Sequence, residues 1–199
     1  MDARVTELHC IMPLANISSI LANGILSYER AAKLRHVSVA MQPVQDRRDA
    51  KQVPGGLKLH QYANLYFHAR NPMLFKRLNE AAGLCVLRIS SQVFGIMGVV
   101  ISDQNAASDY ARFLHPSQSG SLDFDAIYAA DWRDADRATY FRKKSRKCAE
   151  VLVPQQVPIQ YVTGAYVMDS AVKARLVNAG FTLPVKVDGA LFFQPVGGT

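Results

Sequence analysis

Lys147-Cys148-Ala149-Glu150-Val151-Leu152-Val153-Pro154 is an apolar stretch broken by a single carboxylate and closed by a proline. Cys, Ala, Val and Leu at successive positions favour a strand covered on both faces, and Pro154 stops it, so the chain around it must build a sheet with packing on each side. An ionised Glu150 on such a strand loses solvation unless something compensates. Immediately upstream runs Arg142-Lys143-Lys144-Ser145-Arg146-Lys147. Two readings follow. In one, Glu150 lies at a strand edge and pairs with a neighbouring lysine. In the other, it is held on a rigid strand beside a cationic surface, where it can position and deprotonate a bound substrate.

The remaining elements are short and mixed, which predicts an α/β (α+β) fold in one compact domain over residues 1–199. Leu8-His9-Cys10-Ile11 predicts a strand, and Asn16 can cap a helix through Ile17, Ile20 and Leu21 that stops at Gly24. Residues 36–58 hold Gln, Asp, Arg, Pro and Gly with no sustained period, and so long a loop in a small domain is usually functional or disordered. Residues 62–68 predict an aromatic strand. Asn71-Pro72 is a helix start, with residues 73–82 following. Strands are expected at 84–89 and 98–101, and Asn105 is placed to cap a helix over 106–114. After a loop at 115–121 and an aromatic, acidic stretch to Trp132 come the Glu150 strand and a strand near 159–162. A helix capped by Asp169 runs towards Gly180, and a final strand pair is expected at 185–187 and 191–193.

Composition narrows the classes of function. The chain has 199 residues, with Lys plus Arg at 23 against 16 for Asp plus Glu, a formal net charge of +7 that favours polyanionic partners. No apolar run is long enough to span a bilayer, and Met1-Asp2-Ala3-Arg4 lacks the order of a signal peptide, so a cytoplasmic location is expected. Cys10, Cys85 and Cys148 are far apart among apolar neighbours and are expected to be reduced core thiols; five histidines without paired ligand spacing make a metal site unexpected. Gly55-Gly56 does not open a helix, which excludes a phosphate loop or dinucleotide fingerprint. Ser18-Ser19 and Asp103 lack the Gly-x-Ser-x-Gly elbow of a hydrolase.

Several pieces occur together in a known order. They are residues 9–16 with Ile20-Leu21 and Gly24-Ile25-Leu26-Ser27, Asp46-Arg47-Arg48, Tyr62-Ala63-Asn64-Leu65-Tyr66-Phe67, Arg70-Asn71-Pro72-Met73-Leu74-Phe75, residues 103–108, and the Glu150 strand. Over roughly residues 6–165 this combination resembles the DarT family of DNA ADP-ribosyltransferase toxins. The resemblance implies a mixed α/β transferase domain with a split central sheet, NAD as the donor of ADP-ribose, single-stranded DNA as acceptor, and a DarG-type macrodomain antitoxin as partner.

The same resemblance implies roles for residues. Glu150 matches the catalytic glutamate, which would hold a ribose hydroxyl and help to deprotonate the nucleophile while oxocarbenium-like charge develops. The catalytic arginine maps to the Arg47-Arg48 pair, with Arg47 favoured. His9 matches an NAD-binding position on the first strand, with the backbone of Cys10 and Ile11 beside it. Asn16 and Ser18 lie at a helix start, where free N–H groups can meet a polar ligand. Tyr66 is the candidate to stack on nicotinamide, ahead of Tyr62.

For DNA, Arg133, Arg137, Arg142, Lys143, Lys144, Arg146 and Lys147 can track phosphates while a base stacks on Tyr140 or Trp132. The thymine-modifying branch carries Asp-Tyr-Val-Pro-Phe-Tyr-Phe and Arg-Ser-Pro-Met-Leu, where this chain has Gln61-Tyr62-Ala63-Asn64-Leu65-Tyr66-Phe67 and Arg70-Asn71-Pro72, a departure that leans towards guanine. The alternatives are a transferase of the same fold acting on RNA or protein, and a non-catalytic nucleic-acid-binding module in which Glu150 is merely paired.

Overall fold

The computed structural model describes residues 1–38 and 41–194. In chain order the elements are β1 (Glu7–Pro13), α1 (Ile17–Asn23), β2 (Ile25–Leu26), α2 (Tyr28–Ala31), α3 (Gln42–Asp49), β3 (Tyr62–Tyr66), α4 (Pro72–Phe75) and β4 (Leu84–Ser90). There follow β5 (Val100–Ser102), β6 (Phe113–Leu114), α5 (Phe124–Tyr128), α6 (Arg137–Arg146), β7 (Glu150–Pro154), β8 (Gln156–Val157), β9 (Val162–Val167), α7 (Ser170–Asn178) and β10 (Val185–Val187). Eight strands form one mixed sheet in the order β10-β9-β4-β1-β3-β7-β5-β6, and β2 pairs with β8 in a separate two-stranded sheet. Neighbours in the large sheet are antiparallel except β9 and β10.

Glu150 therefore lies on an interior strand between β3 and β5, which removes the strand-edge reading. Register sets what faces it. His9 lies opposite Tyr66, Tyr66 opposite Glu150, and Glu150 opposite Ser102, so one row of cross-strand partners shares a face of the sheet. The opposite face carries a continuous core built by Leu8, Leu65, Phe67, Leu87, Ile89, Ile101, Val151 and Val153 with α1 and α7. On the Glu150 face the apolar packing splits into two small clusters, one around Ile11, Leu74, Val86 and Phe192, the other around Val53, Leu59, Tyr62 and Leu152. A polar site fits between them.

The predicted local signals hold where caps are strong. Asn71 accepts the N–H groups of Met73 and Leu74, and Asp169 accepts that of Val172. At Gly24 (φ 71°) helix α1 ends, and a Cβ there would collide with the Val157 carbonyl of the small sheet.

Five expectations are corrected. Residues 42–49, read as irregular, form α3, which has no apolar stripe and buries only the Arg48 side chain; Pro43 in its first turn and a Gln42–Asp46 side-chain bond of 2.7 Å help to set it. The expected helix at 106–114 is absent: after a turn closed by the Ser108 N–H on the Asn105 carbonyl, Asp103 and Arg112 bond to each other through backbone and side chain, which folds the chain back so that β6 pairs with β5. Residues 73–82 break into α4 and a 3-10 segment, letting Leu74 and Ala81 reach the same cluster. Residues 191–193 form a turn, with Phe193 at φ 61°, and the strand expected near 159 begins at Val162 after a 3-10 turn.

Candidate active site

Glu150 is 1% exposed, yet it forms part of the wall of a cleft of about 740 Å³, a size suited to a dinucleotide-scale ligand. Two donors hold its carboxylate. Arg48 Nη1 lies 3.0 Å from Oε2 and 3.3 Å from Oε1, and the Ala106 N–H donates to Oε1 at 2.9 Å. Its backbone N–H donates to Ser102 Oγ at 3.2 Å. Arg48 is 6% exposed, so the two charges are paired away from water, where each would be costly alone. Tyr66, the cross-strand neighbour of Glu150, lines the cleft. Burial, with the negative charge of Glu150 added, holds its phenol well above the usual range, so it meets a ligand as a neutral ring and hydroxyl.

The arginine pair divides its work. Arg48 makes the ion pair, whereas Arg47, favoured on sequence grounds, is exposed on the cleft wall. Val44, the sole aliphatic residue inside α3, marks its inward face, and Arg48 follows it at i+4; that spacing is the signal that distinguishes the two arginines. Helix α3 is tied down by His60, whose Nε2 lies 3.0 Å from Gln45 Oε1 and whose Nδ1 lies 3.2 Å from Asp49 Oδ1.

Cys10, Ile11 and Asn16 line the cleft. Asn16 stands at the head of α1 but makes no side-chain cap; its amide pairs both ways with the Val37 backbone, at 2.8 and 2.9 Å, bracing the rim. Ser18 is exposed and does not line the cleft, whereas its neighbour Ser19 does. His9 shares the face of Tyr66 and Glu150 but is buried, with Nε2 3.2 Å from Glu7 Oε1 and Nδ1 3.3 Å from the Phe67 carbonyl. Tyr62 is buried too, and its hydroxyl accepts the Leu57 N–H, a structural engagement. The Cys10 and Cys148 thiols are pushed by burial to about 12, which excludes them as nucleophiles.

The basic run divides by helical phase. From α6, Phe141, Arg142, Lys144 and Ser145 face the cleft. Lys143 and Arg146 point to other sides of the helix, paired with Asp134 at 2.7 Å and Asp123 at 2.8 Å. Lys147 is corrected outright: it is 1% exposed, with Nζ donating to the Ile127 carbonyl at 2.7 Å and to His68 Nδ1 at 3.0 Å, and cannot reach a phosphate. Trp132 is likewise a core residue, edge-on to Phe75 and Phe193. Tyr140 is half-buried, with Lys144 Nζ 5.2 Å from its ring centre. Three exposed aromatic residues at the cleft escaped the sequence reading: Phe141, 51% exposed, Tyr110, 87% exposed, and Tyr28, which is stacked on His60. Arg133 is bound to Asp131, and Arg137 lies over the Phe141 ring.

Such a site has a carboxylate fixed by a guanidinium and a backbone N–H, a neutral phenol beside it, and a mouth rich in cations and aromatic rings. It can stabilise positive charge developing on a sugar and align a nucleophile against it. Among the described residues no helix is long and apolar enough to cross a membrane.

The chain is similar to known proteins over nearly its whole length. A profile described as "ssDNA thymidine ADP-ribosyltransferase, DarT" matches residues 9–193. A DNA ADP-ribosyl transferase-DNA ADP-ribosyl glycohydrolase fusion protein from Thermosipho africanus (strain H17ap60334) is 31% identical over 98% of this chain and 51% of its own length. The chain thus spans about half the length of that relative. The structure of Thermosipho africanus DarTG in complex with ADP-ribose aligns with a TM-score of 0.81 at 28% identity, over 95% of this chain and 51% of that one. Thermus sp. 2.9 DarT in complex with ADP-ribosylated ssDNA shares the fold, with a TM-score of 0.82 at 24% identity over 94% and 96% of the two chains. With the profile covering nearly the whole chain, this protein belongs to the DarT family of DNA ADP-ribosyltransferases.

Proposed function

We propose that the protein transfers ADP-ribose from NAD to a base in single-stranded DNA. The observation that carries this reading is the buried Glu150 carboxylate, gripped by Arg48 and Ala106 and neighboured by Tyr66, in a cleft with a basic and aromatic wall. NAD is the co-substrate. The bond between ribose C1′ and the nicotinamide nitrogen breaks, nicotinamide leaves neutral with the bonding electron pair, and Glu150 stabilises the cationic ribose while holding its hydroxyl. A base nitrogen then bonds to C1′ and loses its proton towards Glu150. Arg48 orients Glu150, and Arg47 on the cleft wall is placed for the pyrophosphate. Tyr66 stacks on nicotinamide. Cys10, Ile11, Asn16 and Ser19 form the adjoining wall, and His9 is buried beside Tyr66 on the same face of the sheet. Arg142 and Lys144 track DNA phosphates, with Phe141 and Tyr110 as stacking rings.

Guanine is the acceptor favoured by the departure of residues 61–67 and 70–72 from the thymine-branch pattern, although the profile's description names thymidine. A cytoplasmic toxin countered by a DarG-type macrodomain partner is the biological role we infer, consistent with the glycohydrolase fused to the Thermosipho relative. The test is mass spectrometry of short oligonucleotides incubated with protein and NAD. An ADP-ribose adduct on guanine-containing single strands, with nicotinamide released, is expected. An adduct confined to thymine would correct the base. Adducts only on RNA or protein, or DNA binding without NAD consumption, would overturn the proposed function.

A further inference from the structure

Ser102 closes the apolar strand β5 and is completely buried. A buried hydroxyl is costly unless bonded, and this one uses both of its capacities: Oγ accepts the Glu150 N–H at 3.2 Å and donates to the Gln104 carbonyl at 2.7 Å. Two residues beyond Gln104, the Ala106 N–H meets the Glu150 carboxylate at 2.9 Å. One turn is thereby joined to Glu150 twice, at its backbone through Ser102 and at its carboxylate through Ala106. The turn also reaches the basic helix, because the Asn105 N–H donates to the Ser145 carbonyl at 3.0 Å on α6, the helix that sends Phe141, Arg142 and Lys144 to the cleft. Asp109, further along, pairs with Lys51 just past α3 at 2.9 Å.

We propose that Ser102 is a positioning residue, pinning the turn at residues 103–109 so that the Ala106 N–H holds the Glu150 carboxylate in one orientation, and that this turn links an acceptor strand lying on α6 to the reacting carboxylate. The proposal rests on the transferase reading given above. A carboxylate on a strand can rotate about its side-chain bonds, and a fixed backbone donor selects one rotamer before the substrate arrives. Most residues assigned above to NAD lie on β1, α1, α3 and β3, away from the turn, so loosening the pin falls on turnover more than on NAD affinity.

Ser102→Ala is expected to lower kcat for transfer by about ten- to a hundredfold, at or below the loss from removing a donor to the reacting charge itself, with KM for NAD within about twofold. Ser102→Thr keeps the hydroxyl and is expected to restore most of the rate. Amide exchange at Ala106 should be slow in the wild type and in Ser102→Thr, and fast in Ser102→Ala while Val151 and Val153 stay protected. Wild-type kcat in Ser102→Ala, or a raised KM at unchanged kcat, would overturn the proposal, as would an Ala106 amide that exchanges equally in all three proteins. If the wild type modifies no oligonucleotide, the transferase reading fails, and the exchange comparison still decides the pin. If Ser102→Ala does not fold, wild-type exchange at Asn105 and Ala106 with and without a single-stranded oligonucleotide replaces it: slowing on binding is expected, and unchanged exchange overturns the link.

Discussion

Arg48 and Glu150 are 102 positions apart in the chain and meet at 3.0 Å, Nη1 to Oε2, with both side chains withdrawn from water. Because α3 buries no other side chain, this ion pair joins His60 and the Lys51–Asp109 bridge in seating the helix over the site. The carboxylate to which we assign the chemistry is thus also a structural anchor.

That double role changes what removing the carboxylate should do. Glu150→Gln keeps the shape and is expected to lose at least about a hundredfold in transfer, the scale of a missing acid–base group. On the strand sequence alone, Glu150→Ala would cost little stability. With Arg48 left buried and unpaired, the expected cost is about 3–5 kcal/mol unless α3 lifts into solvent. Urea unfolding together with amide exchange over residues 42–49 separates the outcomes. Unchanged stability with α3 still protected would show that the pair is not what holds it.

The two arginines should separate kinetically. Arg48→Lys removes the planar guanidinium whose Nη1 contacts both Glu150 oxygens, and transfer should fall by about a hundredfold or more. Arg47→Lys, on an exposed wall, should raise KM for NAD several-fold, roughly, with kcat near wild type. The reverse ranking in steady-state kinetics would return the catalytic role to Arg47.

Much of this site was legible because Glu150 violates the apolar pattern of its strand, and such a violation is visible in one dimension. Caps were legible for the same reason, as Asn71 and Asp169 act within three residues of themselves. Helix α3 was not, because it is held by polar contacts from His60 and Glu150 and has no apolar period to detect. The turn after Asn105 was missed because non-local partners set it: Arg112 folds back on Asp103, and a carboxylate 44 positions away takes the Ala106 N–H. The basic run looked uniform in sequence; only the phase of α6 and the aspartates at 123 and 134 separate a cleft-facing lysine from a neutralised one.

Helix α6 allows a sharp comparison in DNA binding. Charge reversal at Arg142 and Lys144 removes two cleft-facing cations and should weaken single-stranded oligonucleotide binding, flattening the slope of log affinity against log salt by about 0.7 per lost contact. Reversal at Lys143 and Arg146, already paired with Asp134 and Asp123, should change that slope little. Salt titrations of the two double variants with equal slopes would mean that DNA enters elsewhere.

Lys147 carries the last prediction, because burial, then the charge of Arg70, holds its amine at about 8 where the ordinary value is 10.5. His68, its partner at 3.0 Å, is pushed by burial and then by the Lys147 charge to about 3 from 6.5. Both shifts have the same sign for stability, since in each window the unfolded chain binds the extra proton and unfolding becomes harder as pH rises. Stability should therefore increase from about pH 3 to 6.5 through His68, and again from about 8 to 10.5 through Lys147. Below about 8 both folded and unfolded Lys147 are charged, and its burden on the fold is constant. Lys147→Met retains the aliphatic stem, removes the charge, and should abolish the alkaline gain while relieving the pressure on His68. Urea unfolding of wild type and variant at matched pH gives the difference directly, with the other titrating groups cancelling. A difference that stays flat from pH 7 to 10.5 would show that the amine is not held in its depressed state.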